Sequence, residues 1–366
     1  MHIAVVTKNL AAGGAERVIV QLLNEWCEQD IQCTLILLNK DAQFYKVNEC
    51  VNVFEIGAIS RNRYMDKLKR YQAVRKILKQ FSPDIVLSMP EEIGIFVIFA
   101  MLGTGIPVVV SERNNPWVMP NKKITRFLRR CAYPFAKGLI FQTERAASFF
   151  PKRQQKKGVI LPNPLDCSRL PDVYEGEREK VVVGAGRLDS QKNFPLLIRA
   201  FAKFYESHSD YRLVIYGEGG KRQELEALAS ALLPEEAWSM PGRVNDLPHR
   251  MASCSMFVLS SDYEGVPNVL IEAMAVGTPC VSTDCAPGGA AELIHTGENG
   301  LLVPVRDEVA LVNTMCQMID EGINQSPTNI ALNIRSCLNG NLVCDKWMMY
   351  LKSIVDGEEK VDGSKK

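Results

Sequence analysis

Ser-Met-Phe-Val-Leu-Ser-Ser-Asp-Tyr-Glu-Gly-Val-Pro-Asn-Val-Leu-Ile-Glu-Ala-Met, residues 255–274, passes from an apolar run of strand length, through a polar stretch holding one glycine, into a helical period. Ser255 to Leu259 is too short for a helix and is bounded by turn residues, so it predicts a buried strand. Pro267 fits the first turn of a helix over Asn268 to Ala275, whose first N–H groups, near Gly265 and Val266, would face back over the end of the strand.

The same strand-loop-helix unit recurs along the chain. Ile3 to Val6, Thr34 to Leu38, Val51 to Phe54, Ile85 to Leu87, Val108 to Val110, Leu139 to Phe141 and Val159 to Leu161 read as strands. Helical periods lie between most of them, at Ala15 to Glu28, Tyr64 to Phe81, Ile93 to Leu102, Ile124 to Phe135 and Thr143 to Phe149. Such alternation predicts a parallel sheet covered by helices on both faces. It stops at residues 162–180, where Pro162 and Pro164 forbid helix and acidic residues oppose burial, so this stretch reads as a linker. It restarts with strands at Val181 to Val183, Leu213 to Tyr216, Ser255 to Leu259 and Cys280 to Ser282. The expected architecture is α/β, with two Rossmann-like domains facing across a cleft. Residues 1–165 form the first, 166–340 the second, and 341–366 a C-terminal helix and tail open to packing back on the first. The expected ligand site is at the carboxyl ends of the strands.

The 366 residues carry +1 overall, but the sum hides an asymmetry: residues 1–165 are +11 and residues 166–366 are −10. Eleven scattered cysteines without a C-x-x-C pair read as reduced thiols rather than a disulfide frame or a zinc site. The N-terminal apolar run is too short for a signal peptide, and the expectation is a protein that is not exported. Ile93 to Val110 holds 18 uncharged residues. Gly103, Gly105 and Pro107 break it into helix, turn and strand rather than a membrane span.

Three motifs carry chemistry. Gly13 and Gly14, between the first strand and its helix, let backbone approach an anion at a helix N-terminus; a plain tight turn explains them as well. Arg187 and Lys192, in the loop Gly186 to Asn193, are two cations suited to a diphosphate, against a solvated loop as the alternative. Asp189 stands where a dinucleotide fingerprint needs its third glycine, which disfavours a nicotinamide cofactor. Glu264 and Glu272 flank the start of the helix after Ser260. At ~1.5 Å per residue they lie roughly 10–12 Å apart, wider than the ~5–9 Å pairs of glycosidases, so they would hold two ends of one elongated ligand.

This E-x7-E arrangement, with the G-R-x-x-x-x-K-N loop before it and the Gly-Gly-Ala-Glu-Arg turn near the N-terminus, resembles the retaining glycosyltransferases of family 4, of the two-domain GT-B type. Gly242, Arg243 and the stretch Gly288 to Leu293 extend the likeness, and bacterial enzymes acting on polyprenyl-diphosphate-linked saccharides are nearest in look. The resemblance implies a nucleotide-sugar donor, a UDP-sugar in this group, bound mainly by the second domain. Arg187 and Lys192 would meet its diphosphate, Glu264 the sugar hydroxyls and Glu272 the ribose. The N–H groups around Gly265 and Val266 would meet phosphate or sugar oxygens, with Gly13, Gly14 and Arg243 completing the binding residues.

It implies no cofactor and no metal, in keeping with a sequence that has no Asp-x-Asp and four histidines without ligand spacing; His2 and His208 read as surface groups. Many relatives carry a histidine after the fifth strand. Here Arg113 occupies that position beside Glu112, which leaves both between a site role and a structural one.

The first half bears on the acceptor. Tyr64, Met65, Leu68, Tyr71, Val74, Ile77, Leu78 and Phe81 recur at helical spacing among Lys67, Lys69, Arg70, Arg75, Lys76 and Lys79, the pattern of a core-packed helix or a membrane-surface helix. With Lys122, Lys123, Arg126, Arg129 and Arg130 they point to an anionic membrane or a lipid-diphosphate acceptor; no nucleic-acid motif accompanies them. The expectation is a peripheral enzyme on the inner face of the cell membrane, in the cytoplasm. It would move a hexose or N-acetylhexosamine to a lipid-diphosphate-linked saccharide in surface polysaccharide (O-antigen type) biosynthesis on undecaprenyl diphosphate. The alternatives are a UDP-N-acetylhexosamine 2-epimerase of the same fold and a non-catalytic sugar-nucleotide-binding protein.

Overall fold

Short β-branched runs, apolar on both faces, are stable only when helices cover both sides of the sheet, and the chain arranges itself twice in that way. The computed structural model describes residues 1–11, 13–41 and 43–357. Ala12 of the first glycine loop and the tail 358–366 lie outside the described residues. The chain divides into two compact units, residues 1–164 with 340–366, and residues 165–339.

The first unit runs β1 (His2–Thr7), α1 (Gly14–Glu28), β2 (Gln32–Leu37), β3 (Asn52–Glu55), α2 (Arg63–Phe81), β4 (Ile85–Ser88), α3 (Glu91–Met101), β5 (Val108–Ser111), α4 (Lys123–Ala132), β6 (Gly138–Phe141), α5 (Glu144–Ser148), α6 (Lys152–Lys156) and β7 (Gly158–Ile160). Its seven strands are parallel in the order β3-β2-β1-β4-β5-β6-β7. Alternate residues of β1 serve opposite faces. Ile3 and Val5 pack with Val18, Leu22 and Trp26 of α1, while Ala4 and Val6 pack with Val74, Leu78 and Ile98.

The second unit runs β8 (Glu179–Ala185), α7 (Phe194–Tyr205), β9 (Arg212–Tyr216), α8 (Arg222–Leu232), β10 (Trp238–Gly242), α9 (Leu247–Ala252), β11 (Cys254–Leu259), α10 (Asn268–Ala275), β12 (Cys280–Thr283), β13 (Leu301–Val303), α11 (Glu308–Asp320) and α12 (Pro327–Cys337). Its six parallel strands lie in the order β10-β9-β8-β11-β12-β13. After it, α13 (Gly340–Val355) belongs to the first unit. There Val343, Trp347 and Leu351 join the α1 face of the core. The Trp347 indole donates to the Pro162 carbonyl at 3.2 Å, and the Tyr350 hydroxyl donates to that of Lys157 at 2.7 Å.

Several expectations are corrected. The stretch 162–180 is not a free linker: Leu165 is buried and bridges Asn339 beside the end of α12, and Cys167–Arg169 form a short helical turn. Pro267 caps α10 rather than entering its first turn. His2 is buried, its Nε2 2.9 Å from the Thr34 hydroxyl, because β1 turns its first side chain inward. Cys27 and Cys50, expected as separate thiols, lie side by side with Cα atoms 6.2 Å apart. Several cations assigned to a basic surface have internal partners. Arg70 pairs with Asp66 at 2.6 Å, and Arg129 is buried on the Pro116 and Met119 carbonyls. In α2 only Val74 and Leu78 are buried, while Tyr64, Met65 and Leu68 are exposed. No helix among the described residues is long and apolar enough to cross a membrane.

Since Trp347 has no exposed surface, Trp347→Ala is expected to destabilise the first unit by ~3–5 kcal/mol, read as a lower urea midpoint. An unchanged midpoint would mean that α13 is not part of this core.

Candidate active site

In the second unit the chain leaves β8 toward β9 and β10 but leaves β11 toward β12 and β13. Open parallel sheets bind ligands at such a reversal, beyond the carboxyl ends of the strands. Residues 186–193 follow β8 and residues 260–267 follow β11, so the two richest motifs of the sequence meet there. Glycines allow the close approach. A Cβ on Gly217, whose φ is 144°, would lie 1.8 Å from the Gly186 carbonyl oxygen, and one on Gly289 would lie 1.7 Å from that of Gly265.

Lys192 and Glu264 form the centre of this edge. Their side chains are 12% and 10% exposed, and Lys192 Nζ lies 2.7 Å from Glu264 Oε1. The Ser261 hydroxyl donates to the same carboxylate oxygen at 2.9 Å. Asp189 shapes the first loop by accepting from the N–H groups of Gln191 and Lys192 at 3.0 and 3.3 Å. The two loops are then tied together. Gln191 Nε2 donates to the Tyr263 carbonyl at 3.0 Å, and Asn193 Nδ2 donates to Asp262 at 2.9 Å. Arg306, beyond β13, pairs with Asp262 at 2.6 Å. Asn193 itself takes a left-handed φ of 45° as it opens α7.

The other second-unit residues fall around this pair. Arg187 is exposed and faces Asp189 at 3.6 Å rather than sharing a preformed clamp with Lys192. Glu272 is buried in α10. Gly265 and Val266 lie in the loop before α10, and the Gly265 carbonyl abuts Gly289. Arg243 is exposed just past Gly242, whose carbonyl accepts from the Gly217 N–H at 2.9 Å. Ser261, Asp262 and Asn193 stand within the motifs read from the sequence but had no role of their own there. Asn193 and Asp262 lie 69 positions apart, so only the order of the strands brings them together, whereas Ser261 meets Glu264 within its own loop.

The first unit has an edge of its own. Gly13 caps α1 in extended backbone and Gly14 begins the helix. A Cβ on Gly13 would strike the Glu16 carboxylate at 2.2 Å. Glu112 and Arg113 follow β5. Glu112 is buried, accepts from the Tyr133 hydroxyl and lies 3.6 Å from Arg129. Arg113 donates through one terminal nitrogen to Asn163, whose amide oxygen also accepts from Gln142 at 3.0 Å. The other nitrogen, Nη1, is buried without an acceptor among the described residues. Among the described residues no three His, Cys, Asp or Glu side chains gather in a way that could hold a metal ion.

The pattern of the family described as glycosyl transferases group 1 matches residues 171–336, and that of glycosyltransferase family 4 matches residues 12–169. Two Campylobacter jejuni proteins are similar along most of their length. One, named GalNAc-alpha-(1->4)-GalNAc-alpha-(1->3)-diNAcBac-PP-undecaprenol alpha-1,4-N-acetyl-D-galactosaminyltransferase, is 29% identical over 97% of this chain and 99% of its own. The other, named N-acetylgalactosamine-N,N'-diacetylbacillosaminyl-diphospho-undecaprenol 4-alpha-N-acetylgalactosaminyltransferase, is 32% identical over 86% of this chain and 88% of its own. Among solved structures, Anabaena Alr3699/HepE in complex with UDP and glucose shares the fold with a TM-score of 0.80 at 17% identity, over 96% of this chain and 99% of that one. The pneumococcal O-GlcNAc transferase GtfA, in complex with UDP and GlcNAc, superposes with the same score at 14% identity, over 97% and 99%.

The buried carboxylate of the first unit gives a pH test. Burial, with Glu91 beside it, pushes Glu112 from the ordinary 4.5 up to about 8. Between those values the folded chain keeps a proton that the unfolded chain releases. The stability this supplies is therefore complete below 4.5 and is lost as pH rises toward 8. Glu112→Gln keeps an acceptor for Tyr133 but does not titrate, so its urea midpoint is expected to fall less over that range than the wild type's. Parallel profiles would contradict the assignment.

Proposed function

The chain belongs to the glycosyltransferases, with the family 4 pattern in its first unit and the group 1 pattern in its second, and from that premise we propose a retaining transfer from a UDP-sugar to a lipid-diphosphate-linked saccharide. The observation that carries this reading is the largely shielded Lys192–Glu264 pair at the reversal of the second sheet. A nucleoside diphosphate leaving the sugar gathers negative charge while the sugar gathers positive charge. A fixed ammonium beside a fixed carboxylate, screened from water, suits both. UDP in similar solved structures supports a uridine donor, and the names of the two C. jejuni relatives support N-acetylgalactosamine as donor sugar and a polyprenyl-diphosphate acceptor.

In this reading an acceptor hydroxyl attacks the anomeric carbon on the face that the diphosphate leaves. The bond from carbon to phosphate oxygen breaks with its electron pair going to UDP, and the hydroxyl proton passes to a phosphate oxygen. Lys192 stabilises the departing charge, and Arg187 leaves Asp189 to join it. Glu264 orients sugar hydroxyls and holds the ammonium. Glu272 takes the ribose, Gly265 and Val266 offer backbone to the phosphates, and Arg243 borders the nucleotide. Gly13, Gly14 and Arg113 serve the first unit's side of the reaction. No metal is needed, because the cations of the loops do its work. The exposed Tyr64, Met65, Leu68, Ile124 and Phe127 among Lys67, Lys69, Lys122 and Lys123 support peripheral contact with the inner face of an anionic membrane.

The test is incubation with UDP- and GDP-sugars and a synthetic lipid-diphosphate saccharide in excess chelator. The expected result is release of UDP with a product of the donor's own anomeric configuration. Inverted product or dependence on a divalent ion would contradict it. Glu272→Ala is expected to raise the donor KM with kcat nearly intact, and Glu264→Ala to lower kcat by ~10² or more, because sugar contacts tighten as charge develops and ribose contacts do not. The reverse split would reassign the two carboxylates.

A further inference from the structure

Left-handed backbone is rare for residues other than glycine, and among the described residues four take it: Asp30, Ser82, Asn193 and Arg306. Asp30 and Ser82 follow the ends of α1 and α2, where helices commonly finish in this conformation. The other two stand at helix beginnings. Asn193 precedes α7 with φ 45°, and Arg306, with φ 64°, precedes Asp307, the cap of α11. Both hold the same carboxylate. Asn193 Nδ2 donates to Asp262 Oδ1 at 2.9 Å, and Arg306 donates to Oδ2 from Nε and Nη2 at 3.1 and 2.6 Å.

Stability does not explain the arrangement. An asparagine before a helix ordinarily turns its side chain back to a free N–H of the first turn, yet Asn193 makes no such cap. Arginine is poorly suited to left-handed backbone. Its pair with Asp262 contributes little, since the Arg306 side chain is 73% exposed. Such conformations persist where surrounding contacts over-determine them, as happens at sites that do chemistry.

What the contacts fix here is Lys192. Residues 191, 192 and 193 are each bonded to the loop after β11: the Asp262 N–H donates to the Gln191 carbonyl at 2.8 Å, the Ser260 hydroxyl to the Lys192 carbonyl at 2.9 Å, and Asn193 to the Asp262 carboxylate. A lysine ammonium rides on a flexible four-carbon stem, so its backbone decides where it can reach. Glu264 holds the ammonium in this structure, but a diphosphate would draw the same charge and share that contact. The bonds of Asp262 to Asn193 and Arg306 do not depend on it.

We propose that Asp262 is a positioning residue for the transfer: it fixes Asn193 in left-handed backbone and so keeps the Lys192 ammonium where the diphosphate departs, while Arg306 orients its second oxygen. The proposal rests on the role given to Lys192 in the preceding section.

The test measures UDP release by the full-length chain with the donor and acceptor of that section. Asp262→Ala is expected to lower kcat about 10- to 100-fold with the donor KM nearly unchanged, since a displaced cation weakens the transition state more than the ground state. Asp262→Asn keeps an oxygen for Asn193 and is expected to restore most of the rate. In a Lys192→Ala background, Asp262→Ala is expected to have no further effect, because both changes remove one function. A wild-type kcat in Asp262→Ala, an asparagine variant no better than the alanine one, or the full loss repeated in the Lys192→Ala background overturns the proposal. Should Asp262→Ala not fold, Asn193→Ala takes its place: the same loss is expected, absent in the Lys192→Ala background, and a wild-type kcat or an additive loss overturns the proposal. Hydrogen exchange of the free protein adds a readout besides turnover. Asp262→Ala is expected to speed exchange at residues 191–194 and 305–307, and unchanged exchange there overturns the proposal. A wild-type kcat in Lys192→Ala is a different failure: it removes Lys192 from the leaving diphosphate and the positioning role with it, whereas additive losses keep Lys192 and remove Asp262 alone.

Discussion

A lysine and a glutamate taken out of water together are a poor way to stabilise a protein. Desolvation consumes much of their attraction, and removing one partner strands the other at a cost of ~3–5 kcal/mol. Lys192 and Glu264 nonetheless meet at 2.7 Å at the reversal of the second sheet. Most of the surrounding geometry serves to hold them: the Asp189 turn sets the loop that carries Lys192, Ser261 fixes the carboxylate, and Asp262 ties that loop to Asn193 and Arg306. A transferase needs such an arrangement, since positive charge must already be in place when the diphosphate departs.

The same demand explains the glycines. Loops after neighbouring strands can converge on one ligand only if their backbones nearly touch, and Gly217 over Gly186 and Gly289 over Gly265 are where a side chain would prevent it. The first unit meets its own edge differently. It buries Glu112, Arg129 and Tyr133 as a network and fixes the guanidinium of Arg113 on Asn163, leaving one buried nitrogen unmatched among the described residues. An oxygen of a substrate is a natural partner for a donor held in that way.

Much of this was legible in the sequence because buried parallel strands have a strong signature. Val181–Val183 and Val108–Val110 are β-branched throughout, and Gly103, Gly105 and Pro107 correctly separated α3 from β5 within an uncharged run. β10 was missed because an edge strand reading Trp-Ser-Met-Pro-Gly lacks both alternation and branching. β13 was missed because three residues are too few for a period. The site residues were legible singly, as motifs. Their pairing was not: Lys192 and Glu264 are 72 positions apart, and neither that pair nor the contact of Arg187 with Asp189 could be read from spacing. His2 was misread because polarity argued for the surface while its place in β1 pointed it at Thr34.

The central claim is that the Lys192 ammonium stabilises charge on the leaving diphosphate. Its most direct test is the single-turnover rate of Lys192→Ala with donor saturating, measured with and without methylammonium. The account predicts a rate lower by ~10² or more that recovers as methylammonium is added, because the missing cation can be supplied from solution. A single-turnover rate equal to the wild type's would contradict it and leave Lys192 a structural partner of Glu264.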